Sequence, residues 1–179
     1  AIFTGAREGE LVALKFSDID FSTRKMTISR SAYKLKGEPV RTKAPKSGRA
    51  RTVTLNASCV ELLQRLKQQH LLEQMKLGTA WKGDNWVFTQ WDGSIMHTQT
   101  PSRQFDKFLK KNGIPHRKFH SLRHTSATLL LYNGTDLKTV QERLGHADFT
   151  TTNKYLHLVE QADADAVDSL EQLLEKRHA

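Results

Sequence analysis

Two short stretches near the start of the chain alternate apolar and polar residues, whereas most of the remaining sequence repeats at helical spacing. Lys25 to Arg30 sets Met26 and Ile28 on one face and Thr27 and Ser29 on the other, and Arg51 to Leu55 alternates through Val53 and Leu55. A period of two predicts half-buried strands. The basic stretch between them carries Gly37, Pro39, Pro45 and Gly48, which predicts a hairpin or a mobile loop. Leu11, Val12 and Leu14 predict a helix over Glu8 to Phe16. Ser58-Cys59-Val60-Glu61 has the capping-box form and opens a long helix to about Met75, with Asn56 as the rival cap. Trp86-Val87-Phe88 reads as a short third strand, and residues 102–111 as a basic helix carrying Phe105, Phe108 and Leu109. Two more helices are expected, at Ser121 to Asn133, closed by Gly134, and at Asp136 to Leu144, closed by Gly145. In the first of these, the apolar run from Leu129 to Tyr132 reads as a buried face. A short helix is expected over Thr152 to Leu158, and Val167, Leu170 and Leu174 recur at helical spacing on an acidic background. The pattern predicts a mainly α domain with a small antiparallel β-sheet, of the α+β class.

With 179 residues, 37% of them hydrophobic and 26% charged, the chain has the composition of one soluble globular domain. No apolar run reaches membrane length, so no membrane partner is expected. The single cysteine, Cys59, cannot close an intrachain disulfide and reads as a small buried hydrophobe on a helix. Together with the lack of a signal peptide it fits a cytoplasmic protein. The opening, Ala1-Ile2-Phe3-Thr4-Gly5, has neither a start Met nor an N-cap and reads as the inside of a longer protein.

Charge narrows the partner. The net charge is +9, yet the last 20 residues hold six acidic and two basic side chains, which leaves residues 1–159 at +13. A body that basic points to a polyanion, and nucleic acid is the usual one.

Five sequence features carry chemistry. Thr4-Gly5-Ala6-Arg7-Glu8-Gly9-Glu10 sets Arg7 where a turn enters a helix, and Lys46 stands in the basic loop between the two strands. His120-Ser121-Leu122-Arg123 places a histidine and an arginine three apart, on one side of a helix or its first turn. Leu144-Gly145-His146 puts a histidine just past a helix end, and Tyr155 comes later, within Thr151-Thr152-Asn153-Lys154-Tyr155. In this order and at these spacings the set resembles the catalytic domain of the tyrosine recombinases, the phage integrase family, whose signature is Arg, Lys, His-x-x-Arg, His or Trp, then Tyr. The resemblance covers nearly the whole chain.

The resemblance implies site-specific DNA recombination, the integration or excision of a mobile element, through a 3′-phosphotyrosyl intermediate. The implied catalytic residues are Arg7, Lys46, His120, Arg123, His146 and Tyr155. Phosphodiester cleavage without a metal needs fixed positive charge around the transition-state oxygens. Arginine supplies it as a planar, permanently charged fork. Arg7 and Arg123 would form this clamp and His146 would add a donor. A tyrosine hydroxyl, with a pKa of about 10, needs help to become a nucleophile, and His120 is the expected proton acceptor or donor. Lys46 would protonate the leaving 5′-oxygen; Lys43 is the alternative register. Glu10 is expected to pair with an arginine behind the site. No cofactor or metal is called for. His116, His120 and His124 recur every four residues, but the zinc-protease pattern requires a glutamate after its first histidine, whereas His120 is followed by Ser121, and Pro115 sets His116 before the helix.

Lys43, Arg49, Arg103, Lys107, Lys110, Arg117 and Lys118 are candidate contacts to the DNA backbone, insensitive to base sequence. The implied partners are double-stranded attachment sites, a homo-tetramer on DNA and accessory directionality or bending proteins. A separate core-binding domain belongs to the family pattern and is not in this sequence, so the chain alone is expected to bind DNA weakly and to be monomeric in solution. Residues 160–179 read as a tail helix that packs on its own subunit or on a neighbour. Two other functions fit parts of the pattern: strand cleavage and rejoining like that of a type IB topoisomerase, and a catalytically inert DNA-binding module.

Overall fold

The computed structural model describes residues 1–146 together with 152, 153, 155 and 156. Helix α1 (Glu8–Val12) leads through a 3₁₀ turn at Phe16–Asp18 into strands β1 (Ile19–Asp20) and β2 (Lys25–Ile28). Next come strands β3 (Ser31–Tyr33), β4 (Arg41–Lys43) and β5 (Arg51–Thr54), then helices α2 (Ala57–Leu77), α3 (Thr100–Lys111), α4 (Ser121–Tyr132) and α5 (Leu137–Leu144). Helix-rich with small antiparallel sheets, this is the α+β domain that the periodicity predicted.

The sheet runs β1-β2-β5, antiparallel throughout, with Met26 opposite Val53 and Ile28 opposite Arg51. Side chains alternate across a strand, so Val53 and Leu55 go inward with Met26 and Ile28. They meet Val60 and Leu63 of α2 and Val87 in the principal core. β3 and β4 form a separate two-stranded hairpin within the basic stretch. A second cluster joins Ala127 and Leu131 of α4, Val140 and Leu144 of α5, and Tyr155. The two clusters meet where the chain enters α1. Gly5 lies so close to α5 that a β-carbon there would fall 2.4 Å from Leu144 Cδ2.

Several elements depart from the periodicity. The first helix stops at Val12 because Lys15 leaves it to bridge Trp86, and the Phe16 amide turns to the Asn85 carbonyl. Within Trp86 to Phe88 only Trp86 accordingly makes a bridge, an isolated one to Lys15, and the sheet's third strand is β1. Asn56, not Ser58, caps α2, accepting the Cys59 amide at 3.0 Å, while Cys59 itself is half-buried. Leu129 to Tyr132 is no buried face: Leu131 is buried, but Leu129 is 56% and Tyr132 72% exposed. Four successive residues circle the helix, so only one side can meet α5. Thr152, Asn153, Tyr155 and Leu156 are helical. Leu158, Val167, Leu170 and Leu174 lie outside the described residues.

Candidate active site

The site is built on the end of α5. Gly145 adopts the left-handed conformation (φ 66°, ψ 49°). Its amide donates to the Glu142 carbonyl at 3.1 Å, and the His146 amide to that of Gln141 at 3.2 Å. This paired closure is the Schellman motif, which glycine adopts without a steric penalty. It leaves the last carbonyls of the helix without intrahelical donors. Three arginines take three of them in succession. Arg51 Nε donates to the Arg143 carbonyl at 2.9 Å, Arg123 Nη2 to that of Leu144 at 2.7 Å, and Arg7 Nη2 to that of Gly145 at 3.4 Å. Cations also suit this end of the helix because the peptide dipoles leave it negative.

One carboxylate is shared among these arginines. Glu10, 2% exposed, receives Arg51 Nη1 and Nη2 at 3.0 and 2.6 Å and Arg7 Nη1 at 2.8 Å. The Arg7 backbone amide also donates to it at 2.8 Å, which closes the first turn of α1. Burial alone would raise the Glu10 pKa, but the Arg51 and Arg7 contacts outweigh it and hold the pKa below the usual carboxylate value. Among the described residues, three guanidiniums against one carboxylate leave uncompensated positive charge in a partly dehydrated place.

Arg123 is 1% exposed, and its Nη1 donates to the Gly5 carbonyl at 2.5 Å, tying α4 to the entrance of α1. Burial first, and the nearby charge of Arg7 next, lower its pKa to about 10. It remains protonated at neutral pH. His146, directly after Gly145, has its Nδ1 2.9 Å from Thr152 Oγ1. Burial and then the charges of Arg123, Arg7 and Arg51 depress its pKa to about 4, so it is neutral near pH 7. Its ring stacks parallel to Tyr155 at 6.2 Å. Tyr155 is 4% exposed, and burial raises its pKa against the lowering effect of Arg123 and Arg7.

The Tyr155 hydroxyl lies 2.7 Å from His124 Nδ1. His120 occupies the N-cap position of α4, without a capping hydrogen bond from its side chain, and stands edge-on to His124, their ring centroids 4.8 Å apart. Burial, then His124, Arg123 and Arg7, lower the His120 pKa.

Of the residues the sequence singled out, Arg7, Glu10, Arg123, His146 and Tyr155 converge here, with His120 at the edge. Lys46 does not join them by contact. It is exposed on the loop between β4 and β5, next to Ser47. Ser47, Arg49 and Arg51 line a cleft of about 800 Å³ whose opposite wall includes Gln141, Gly145 and His146. Lys43, Arg49, Arg103, Lys107, Lys110, Arg117 and Lys118 are all exposed. Lys110 pairs with Asp106 at 2.9 Å, and Lys43 lies 5.0 Å from the Tyr33 ring centre. His116 pairs with Asp106 at 3.0 Å, before α4 begins, and the described residues contain no cluster of three or more metal-ligating side chains.

Arg51, His124 and Thr152 escaped the sequence reading. Arg51 had a signal: it shares the inward face of β5 with Val53 and Leu55, where a charge requires a partner. His124 comes directly after Arg123, but its role depends on Tyr155, 31 residues further on.

Residues 1–162 match the phage integrase family, and the chain belongs to it. It is 33% identical to the tyrosine recombinase XerC-like protein of Caldanaerobacter subterraneus subsp. tengcongensis, over 97% of this chain and 48% of that protein. The crystal structure of XerA recombinase superposes with a TM-score of 0.70 at 29% identity, covering 94% of this chain and 54% of that one. XerH site-specific recombinase, bound to palindromic difH substrate in a post-cleavage complex, does so with 0.65 at 29% identity, over 95% and 43%. The chain therefore has the tyrosine recombinase catalytic-domain fold and spans about half the length of these relatives. Among the described residues no helix is long and apolar enough to cross a membrane.

Proposed function

We propose that this chain is the catalytic domain of a longer cytoplasmic, site-specific recombinase that cuts and rejoins duplex DNA through a covalent bond from Tyr155 to a 3′-phosphate. The observation that carries this reading is the trio of arginines on the carbonyls of residues 143, 144 and 145, beside a buried tyrosine hydroxyl and with one carboxylate among them. A phosphodiester bears the charge such a cluster lacks, and it gains more negative charge on its non-bridging oxygens as the reaction proceeds.

In this reading Arg7 and Arg123 hold those oxygens, and both are oriented by carbonyls before DNA arrives, so little reorganisation is left for the reacting step. Neutral His146 and His120 donate further hydrogen bonds. Glu10 and Arg51 fix the frame. Attack by the Tyr155 oxygen breaks the bond from phosphorus to the 5′-oxygen, and Lys46, carried on the loop at the rim of the cleft, gives that oxygen its proton. The phosphotyrosyl bond retains the energy of the broken one, so rejoining requires neither ATP nor a metal.

Exchange between two duplexes breaks four strands, and one tyrosine per chain calls for four copies on the paired attachment sites. Accessory bending or directionality proteins would choose between integration and excision. Lys43, Arg49, Arg103, Lys107, Lys110, Arg117 and Lys118 would track the phosphate backbone. XerH site-specific recombinase, bound to palindromic difH substrate in a post-cleavage complex, supports a substrate that is cleaved.

The test is covalent trapping. The full-length protein first selects its recognition sequence from a randomised duplex pool, and a nicked suicide substrate is then built on that sequence. A denaturant-resistant adduct that vanishes in Tyr155→Phe is the expected result. An adduct that persists moves the nucleophile elsewhere. Site binding without an adduct from either protein points to an inert DNA-binding module.

A further inference from the structure

We infer that His124, the residue after the family's second arginine, is the group that takes the proton from the Tyr155 hydroxyl. The inference rests on the proposed role of Tyr155 as nucleophile and deepens it. His124 Nδ1 is 2.7 Å from the Tyr155 oxygen, a short hydrogen bond to the atom that must lose a proton. The rings stand 5.4 Å apart at 50°, so the contact is made through the hydroxyl and not by stacking. His120, the other histidine of this turn, meets His124 edge-on at 4.8 Å; among the described residues no hydrogen bond joins it to Tyr155.

The burial of Tyr155 explains why an acceptor is needed. At 4% exposure, water gives the phenol little help in ionising. Arg123 and Arg7 favour the anion, but they do not remove the proton. His124 can, because an imidazole with Nδ1 unprotonated accepts from the phenol. Its place in the first half of α4 fixes that nitrogen, and its exposed position lets the proton travel on. This divides the labour between the two histidines: His120 donates to the phosphate, whereas His124 serves the nucleophile.

The proton count closes. The Tyr155 O–H proton passes to His124 Nδ1 as the oxygen bonds to phosphorus. The bond from phosphorus to the 5′-oxygen breaks, and that oxygen is protonated from the Lys46 side of the cleft. Rejoining reverses each step, with His124 returning its proton to the departing phenolate.

The experiment measures single-turnover adduct formation by the full-length protein on its selected suicide substrate, and on the same substrate with sulfur in place of the bridging 5′-oxygen. A thiolate leaves without a proton, so the sulfur substrate isolates nucleophile activation from leaving-group protonation. His124→Asn keeps an acceptor about where Nδ1 stands but cannot take a proton. It is expected to unfold at the wild-type temperature, to bind the site normally and to form adduct about a hundredfold more slowly on both substrates. His124→Ala is expected to be as slow and to recover with free imidazole, which can reach this exposed position. Wild-type rates in His124→Asn would overturn the inference, as would rescue of that variant by the sulfur substrate, which would place His124 on the leaving-group side. Absence of an adduct from the wild-type protein would instead defeat the recombinase reading itself.

Discussion

Arg51 grips both oxygens of Glu10, at 3.0 and 2.6 Å, while its Nε holds the Arg143 carbonyl at 2.9 Å. One guanidinium thus fastens the first helix to the end of the last fully described one. Glu10→Ala removes the carboxylate that these interactions share and leaves Arg7 and Arg51 without it beside buried Arg123. Breaking a buried ion pair on one side costs about 3–5 kcal/mol. A loss of that size is expected in urea unfolding, and adduct formation should fall with it. A loss under about 1 kcal/mol would mean that water already compensates these charges.

Much of this was legible in the sequence because the fold obeys local rules. Asp136 caps α5 by accepting the Thr139 amide at 2.9 Å, and Gly134 and Gly145 close two helices with positive φ. The strand pair was visible as alternation because each strand has one buried face. The misses are non-local. Nothing near Lys15 announces its bridge to Trp86, which ends the first helix. Glu10 invited a partner, but identifying Arg51 required the register of β2 with β5. The motif points to His120 as acceptor or donor for the Tyr155 proton, and only the fold shows that His124, one turn further on, is hydrogen-bonded to the hydroxyl.

Gly145 and Gly134 both stand at helix ends with positive φ, at 66° and 79°. They differ in what surrounds them. A β-carbon at Gly145 would fall 2.8 Å from Arg51 Cδ and 2.9 Å from its Nη1, whereas at Gly134 none of the described residues lies within 4 Å. Gly134→Ala should therefore carry the left-handed backbone penalty alone, about 1–2 kcal/mol, with cleavage intact once folded. Gly145→Ala should carry that penalty and also displace Arg51, so it should lose adduct formation under conditions where it remains folded. Equal cleavage by the two variants would show that the placement of Arg51 does not matter.

His146 sets a pH dependence whose sign can be worked out. Its pKa is about 4 in the fold, against an ordinary 6.5 on unfolding. Between those values the unfolded chain binds the proton and the folded one does not, so stability falls as pH drops. The contribution is complete above 6.5 and drains towards 4. His120 and His70 are lowered too and act in the same direction. The readout is therefore the difference between wild type and His146→Asn, whose unfolding free energy should vary less steeply from pH 6.5 to 4. Parallel curves would show that His146 titrates normally in the fold.

The exposed cations of α3 and the segment after it should act on DNA through charge alone. Replacing Lys107 or Arg117 with Gln is expected to weaken binding to specific and random duplexes alike. Each lost phosphate contact should flatten the logarithmic salt dependence by about 0.9. A variant that loses only its preferred sequence would instead place that residue on a base edge.

Lys46 and Lys43 can be separated by the chemistry of the leaving group. A departing 5′-alkoxide needs a proton in the transition state, and losing the group that supplies it slows the step by about 10²–10⁴. A departing thiolate needs none. Lys46→Ala should therefore be severely slow on the ordinary suicide substrate and near wild type on the one with a 5′-bridging sulfur, while Lys43→Ala should cleave both well. Lys46 comes after buried Pro45 and precedes Ser47 on the cleft wall, so closure of the loop would carry it towards the cleft. Lys43 ends β4, its ammonium held over the Tyr33 ring. If the sulfur substrate rescues Lys43→Ala instead, the acid is Lys43, and β4 must move as a unit to deliver it. If it rescues neither, the proton comes from another donor, and His146, already at the cleft and neutral, becomes the residue to replace next.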